Sequence, residues 1–339
     1  MRFAFTDDQL AFADAVRDLL GKECPPATVR AAWDSATGRS GTLWAQLAEM
    51  GVLGMLAPEG TGGMGLAEID LVQILFEAGR AALPEPLAAT AVVAVPAIRD
   101  HAPSDDAERW LEAICGGEAT VAVQLSPNTH AVGADSARLL LLEAPDGLHL
   151  VEPDVVELIA LPSVDGSRRL SQVIWHPSAA TLLSGGAAAV AQARSRAAVA
   201  TAAELCGLSD TMIAMTVAYC SERTQFGVPI GSFQAIKHQL ADALLAVEFA
   251  KPLVWRAAQS LSVGDADAAI HSSMAKAAAT DAADVVGRAA LQCHGAIGYT
   301  VECDLHLWLK RSWALRAQDG DAPSHRRAIA RQLLGEPAG

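Results

Sequence analysis

The chain has 339 residues, 51% of them hydrophobic and 19% charged, which excludes a disordered or fibrous class and provides apolar surface for two or three domains. Its 25 basic and 39 acidic residues leave a formal net charge of −14, which opposes association with nucleic acid or an anionic membrane surface. The six cysteines (Cys24, Cys115, Cys206, Cys220, Cys293 and Cys303) form no CxxC pair and no metal-ligand spacing, so they read as buried thiols of a cytoplasmic protein.

Residues 1–117 carry a helical period. Thr6 is placed to cap a first helix, with Asp7 and Asp8 in its first turn and Gln9 at the capping-box position. Leu10, Ala13, Val16, Leu19 and Leu20 then fall on one face, and acids in the first turns mark an amphipathic helix in place of a secretory leader. A second helix, "GTLWAQLAEMGV", turns Leu43, Trp44, Leu47 and Met50 to the same core. The glycine-rich "APEGTGGMGL" breaks the period before a helix beginning near Ala67. It lacks both the Lys-Ser/Thr pair and the preceding strand of a phosphate-binding P-loop, so it is a connector.

Residues 118–185 change period. "ATVAVQL", "ARLLLLEA", "GLHLVE" and "LSQVIW" are short apolar or alternating runs separated by Pro, Asp-Gly and Gly, which predicts a small sheet with a hairpin at "APDG". Residues 186–339 are helical again. A Pro-free, Ala-rich segment runs from Gly186 to Arg223, and further helices are predicted near 231–261 and 265–293. Long helices joined by short loops imply an antiparallel bundle, and no run reaches the roughly 18 uncharged apolar residues of a membrane span. The fold class is therefore mainly α with a small β domain: an N-terminal helical domain, a reduced middle β domain and a C-terminal four-helix bundle.

Three stretches break the rhythm in specific ways: "LWAQLAEMGVLGMLAPEGTGGMGL", "ERTQFGVPIGSFQAIKHQLAD" and "ALQCHGAIGYTVECDLHLWLKR". With the order of domains, they make the chain resemble the acyl-CoA dehydrogenase family over nearly its whole length. The second stretch has Arg-x-Gln-Phe-Gly, Pro-Ile and Phe-Gln in the family's order and spacing. The third has Gln292, His294, Gly295, Gly298, Glu302 and His306 at family-like positions.

The resemblance implies FAD bound in an extended pose, its pyrophosphate and adenosine gripped by a neighbouring subunit. On that basis Arg223 holds phosphate oxygens, for which a permanently charged, two-pronged guanidinium is suited. Gln225 and Gln234 supply amide hydrogen bonds, Phe226 an apolar face, and Gln292 with Gly295 the segment that closes over the same pyrophosphate. Ala296 stands where the family has a second glycine and reshapes that segment. Taken alone, Arg223 is an ordinary helix C-terminal charge, and His294 and His306 lack partners at metal-ligand spacing.

The chemistry is less complete. The family's desaturation of an acyl-CoA thioester needs a carboxylate that takes the α-proton while hydride leaves to the flavin. In most members that carboxylate is Glu before the last helix; here the match is Asp319, one methylene shorter, and a shortfall of about 1 Å costs on the order of a hundredfold in rate. Other members draw it from the first bundle helix, where the nearest acid is Glu204, expected to turn toward another helix. After "VAVQLSP" the passage that holds the flavin ring in the family is missing.

The resemblance thus implies the non-catalytic subunit of a heteromer, α2β2 with a complete homologue. FAD would be shared with that partner, a bulky acyl-CoA such as a steroid side-chain thioester would be the substrate, and electron-transfer flavoprotein would accept electrons from the complex. A self-sufficient homomer using Asp319, and an assembly or regulatory subunit without a flavin role, are the alternatives.

Overall fold

A computed structural model describes residues 4–335. At the N-terminus, α1 (Asp7–Glu23) starts from the expected capping box: the Thr6 hydroxyl accepts from the Gln9 amide at 3.2 Å, and Gln9 Oε1 accepts from the Thr6 amide at 2.8 Å. Helix α2 (Pro26–Asp34) opens on proline, where the missing N–H is not needed. From α3 (Gly41–Glu49), Leu43, Trp44 and Leu47 turn inward, and the Trp44 indole donates to the Gly117 carbonyl at 3.0 Å. The glycine connector leads to α4 (Glu68–Arg80), followed by a π-helical turn at Ala88–Ala94 that runs into α5 (Val95–His101), and then by α6 (Ser104–Cys115).

The β part holds two three-stranded sheets. In the first, β1 (Val121–Gln124) pairs in parallel with a later strand, β3, while β2 (Ala131–Val132), between them in sequence, belongs to the second sheet. The predicted Asp-Gly hairpin joins β3 (Leu139–Ala144) to β4 (Gly147–Val151), with Leu142 opposite His149. The second sheet has the order β2, β6, β5, with β5 at Glu157–Leu161 and β6 at Leu170–Ile174. Strand β5 was not among the predicted strands. It is a mostly exposed edge, so no inward face imposes alternation on its sequence.

Helix α7 (Gly186–Glu222) is the spine of the bundle. It is long and apolar enough to cross a bilayer by length and composition, yet 72% of its most apolar window is buried inside the molecule, as in a core helix. Beyond it a short hairpin of β7 (Thr224–Gln225) and β8 (Val228–Pro229) precedes α8 (Gln234–Ser262), which accommodates Pro252. Helices α9 (Ala268–His294), α10 (Leu305–Ala317) and α11 (Ala322–Leu334) complete the bundle.

Backbone contact fixes α7 against α4. A Cβ on Gly79 would lie 2.1 Å from the Glu204 carbonyl oxygen, and one on Gly207 1.9 Å from that of Phe76, so the helices touch where both lack side chains. Gly207→Ala is therefore expected to destabilise by about 2 kcal/mol or more, although alanine is the better helix former. Gly21→Ala, at a position in α1 where the added methyl meets nothing within 4 Å, should instead be neutral or stabilising. Denaturant midpoints of the two variants, measured side by side, separate crowding from propensity.

Candidate functional site

Both groups of predicted residues trace back to α7. At its C-terminal end the Arg223 amide donates to the Tyr219 carbonyl at 2.8 Å, and the backbone then leaves the helix as an extended strand. Phe226 and Gly227, with φ of 54° and 81°, form the two-residue turn of the β7–β8 hairpin, and the Ile230 amide closes it on the Arg223 carbonyl at 2.8 Å. A left-handed conformation is costly for an aromatic residue. Here it pushes the Phe226 ring out of the molecule, 94% exposed, edge-on to Phe233 at 6.3 Å.

The end of α9 lies beside this hairpin. Tyr219 and His294 stack at 4.3 Å. His294 Nδ1 also meets the Ala290 carbonyl at 2.9 Å, and burial holds this imidazole below its usual pKa. Gly295 ends the helix at φ 65°. Arg223, Gln225, Phe226, Gln234, Gln292 and Gly295 are thus gathered at one end of the bundle, all exposed. Among the described residues no carboxylate pairs with Arg223. The surface is a cation, amides and an aromatic ring projecting outward, with the chemistry to grip phosphate and an aromatic base presented by another molecule.

The other group lies deep between the domains. Asp319, at φ 56°, is not a free carboxylate: Oδ1 accepts from Asn128 Nδ2 at 2.9 Å and Oδ2 from the Thr201 hydroxyl at 2.7 Å. Its amide donates to Asn128 Oδ1 at 3.1 Å, and its carbonyl oxygen lies 2.9 Å from His325 Nε2. Asp319 therefore ties the β part to α7 and to the start of α11. Beneath it, fully buried Lys276 donates to the carbonyls of Gly320 at 2.9 Å and Arg316 at 3.3 Å, and burial lowers its pKa to about 8.

Glu204 lies among Arg311 and Leu315 of α10 and residues of the β part. It lines a cavity of about 90 Å³ bounded by residues 83–86, Ala88, Ala89, Thr120, Val132, Arg168, Arg311 and Gln318. Burial pushes its pKa up to about 7; Arg311 and Arg168 oppose that shift and Asp319 adds to it. The walls are braced by ionic contacts. Arg311 pairs with Asp165 and donates to the Leu83 carbonyl at 2.7 Å, while Arg39 pairs with Glu85 at 3.0 Å and donates to Thr120 at 3.1 Å. Ligand sites usually offer about 300 Å³ or more, whereas this space is of a size for a few waters. The residues present here do not fit a flavin ring.

Residues 6–118 match the family "Acyl-CoA dehydrogenase, N-terminal domain", and residues 184–334 match "Acyl-CoA dehydrogenase, C-terminal domain". The chain is 32% identical over 308 residues to the acyl-CoA dehydrogenase IpdE2 of Mycolicibacterium smegmatis, covering 91% of this chain and 93% of that one. A variant of the Tcur3481-Tcur3483 steroid ACAD superposes with a TM-score of 0.88 at 24% identity, covering 97% of this chain and 98% of that one. The ChsE4-ChsE5 complex from Mycobacterium tuberculosis contains a chain that does so at 0.88 and 22%, over the full length of both.

Two measurements test the buried cluster. Glu204 has a folded pKa near 7, above the ordinary value of 4.5, so it takes up a proton on folding and its cost grows as pH rises through that interval. Glu204→Gln should leave stability at pH 5 nearly unchanged and raise it at pH 8, by up to about 3 kcal/mol. A destabilised variant at pH 8 would mean that the charge is needed to balance Arg168 and Arg311. Asp319→Ala, which strands Asn128 and Thr201, should lower the denaturant midpoint by the equivalent of about 2–3 kcal/mol.

Proposed function

The chain belongs to the acyl-CoA dehydrogenase family, and we propose that within it this is the non-catalytic subunit of a heteromeric, FAD-dependent enzyme that desaturates an acyl-CoA thioester. Its task is to clasp, in trans, the pyrophosphate and adenosine of FAD whose ring lies in a complete homologous subunit. The observation that carries this is a contrast within one chain. The Arg223 hairpin is exposed and unpaired, whereas the space beside Glu204 and Asp319's neighbour Gln318 is a cavity of only about 90 Å³.

Each residue has a definite task. Arg223 donates parallel charge-assisted bonds to phosphate oxygens, and Gln225, Gln234 and Gln292 add amide donors. Phe226 offers a ring face already free of its own chain, and Gly295 lets backbone approach the phosphates. When bound, FAD supplies the hydride acceptor; the base that takes the α-proton belongs to the partner. Asp319 does not serve as that base, because both of its oxygens hold Asn128 and Thr201.

An α2β2 assembly in the cytoplasm, a bulky steroid-type acyl-CoA and electron-transfer flavoprotein as acceptor complete the proposal. Support for the first two comes from likeness to two-component structures, one of them a steroid enzyme by name. Co-expression with a complete homologue should give a complex with one FAD per pair of chains, while this chain alone is colourless. Arg223→Ala should preserve the complex and weaken FAD about 10- to 100-fold, as expected for loss of hydrogen bonds to a charged group. Flavin absorbance per complex after gel filtration reads this out. Undiminished flavin in the variant, or a yellow chain by itself, contradicts the proposal.

A further inference from the structure

Between α10 and α11 the backbone takes two consecutive positive φ angles, 56° at Asp319 and 95° at Gly320. For an aspartate that conformation is costly, and it persists only where the surroundings over-determine it. One face of α9 supplies much of that constraint. Lys276, Thr280 and Asp284 follow one another at four-residue spacing, so they share a stripe along the helix. The Lys276 ammonium donates to the Gly320 carbonyl at 2.9 Å, to the Arg316 carbonyl at 3.3 Å and to the Thr280 hydroxyl at 3.3 Å, and the residue has no exposed surface. Two turns along, Asp284 pairs with the Arg316 guanidinium at 2.7 Å. A single nitrogen on α9 thus gathers the last turn of α10 and the residue that follows Asp319.

We infer that Lys276 is the positioning residue of the 316–320 turn, and that through this turn it sets one wall of the cavity and seats the β part on the bundle. Two side chains of the turn carry the effect outward. Gln318 accepts from Arg168 and lines the cavity beside Glu204. Asp319 holds Asn128 of the β part and Thr201 of α7. Within the turn the ammonium bonds to backbone carbonyls, so its hold on Gln318 and Asp319 passes through the path of the chain. This placement does not depend on the trans role in flavin binding.

An ammonium has three protons, one for each of the three oxygens, whereas an apolar side chain of similar size would fill the space and leave two buried carbonyls without this donor. The charge is nonetheless held at a cost. Burial lowers the Lys276 pKa from 10.5 to about 8; Asp319 and Asp321 of the turn oppose that shift, and Arg316 at the end of α10 adds to it. From α11, His325 Nε2 meets the Asp319 carbonyl at 2.9 Å, while Asp284 and Asp281 of α9 are paired with Arg316 and Arg326. Between pH 8 and 10.5 the unfolded chain keeps the Lys276 proton and the folded chain has lost it. Stability contributed at this site therefore rises with pH across that window and is constant well below it.

Amide hydrogen exchange of the full chain at pH 7, read by mass spectrometry, tests the direction of control. Lys276→Met should speed exchange about 10-fold or more, as expected for the loss of two hydrogen bonds, both in residues 316–325 and in residues 125–130, with α1 unchanged. Asn128→Ala cuts the tie from its other end, so it should loosen residues 125–130 and leave residues 316–320 protected. Equal loosening of the turn in both variants, or exchange in Lys276→Met that rises everywhere alike, overturns the assignment. If Lys276→Met does not fold, Asn128→Ala decides, because a turn that opens with it is not held by Lys276. The pH profile separates a buried ammonium from mere space filling. From pH 8 to 10.5 the folding equilibrium of the parent should gain on that of Lys276→Met by up to about 100-fold, and well below pH 8 the gap between their denaturant midpoints should stay constant. A gap that is flat throughout means that no ammonium holds the turn, and overturns the assignment as well.

Discussion

The backbone contact between α4 and α7 at Gly79 and Gly207 sets the position of nearly everything chemical in this chain. With no side chains between the helices, α7 cannot slide or roll on α4 without colliding with the Glu204 or Phe76 carbonyl. That fixes Thr201 and Glu204 on the turns facing the β part. It also fixes the far end of the same rod, where Tyr219, Cys220 and Arg223 lie. Nineteen residues separate Glu204 from Arg223, roughly 28 Å of helix. One rigid element therefore carries a buried cluster at one level and an exposed grip at another, and the two face different surroundings.

The buried cluster shows what replaces catalytic space when it is closed. Buried ion pairs give little net stability against apolar packing, but they fix geometry, because leaving either partner unpaired is expensive. Arg311 with Asp165, and Arg39 with Glu85, join the α10 and N-terminal walls of the cavity to its β side and floor. Asp319 is a hydrogen-bonded tie to Asn128 and Thr201. Burial raises the pKa of Glu85 and, to about 7, that of Glu204. Desolvation is the largest cause of the Glu204 shift, opposed by Arg311 and Arg168.

How much of this was readable in the sequence depends on whether the deciding contacts are local. The capping box at Thr6, the Asp-Gly hairpin and the Arg223 turn are set by neighbours within a few residues, and their letters announce them. The partners of Asp319 lie 191 and 118 residues away, so nothing near "QDGDAP" reveals that its carboxylate is occupied. The surroundings of Glu204 are not legible locally, because the buried middle of the Ala-rich α7 has no polar face from which to read its phase. Lys276 was legible in part, since Ser272, Ala275, Ala279 and Ala283 place it on the buried face of α9.

The outer surface of the bundle adds one constraint and leaves another open. Leu245, Phe249 and Leu253 recur every four residues along α8, exposed as one stripe, with Phe249 75% accessible. An apolar stripe of that kind belongs against another chain. It does not say which chain, since a homomer and a heteromer would cover it equally well. The discrimination comes from inside. In a homomer every copy would bring an exposed Arg223 hairpin and a closed cavity, leaving each grip without a ring site to complement. Under the proposed trans role, pairing with a chain that has an open ring site resolves that mismatch, so the small cavity, more than the apolar stripe, favours an unlike partner.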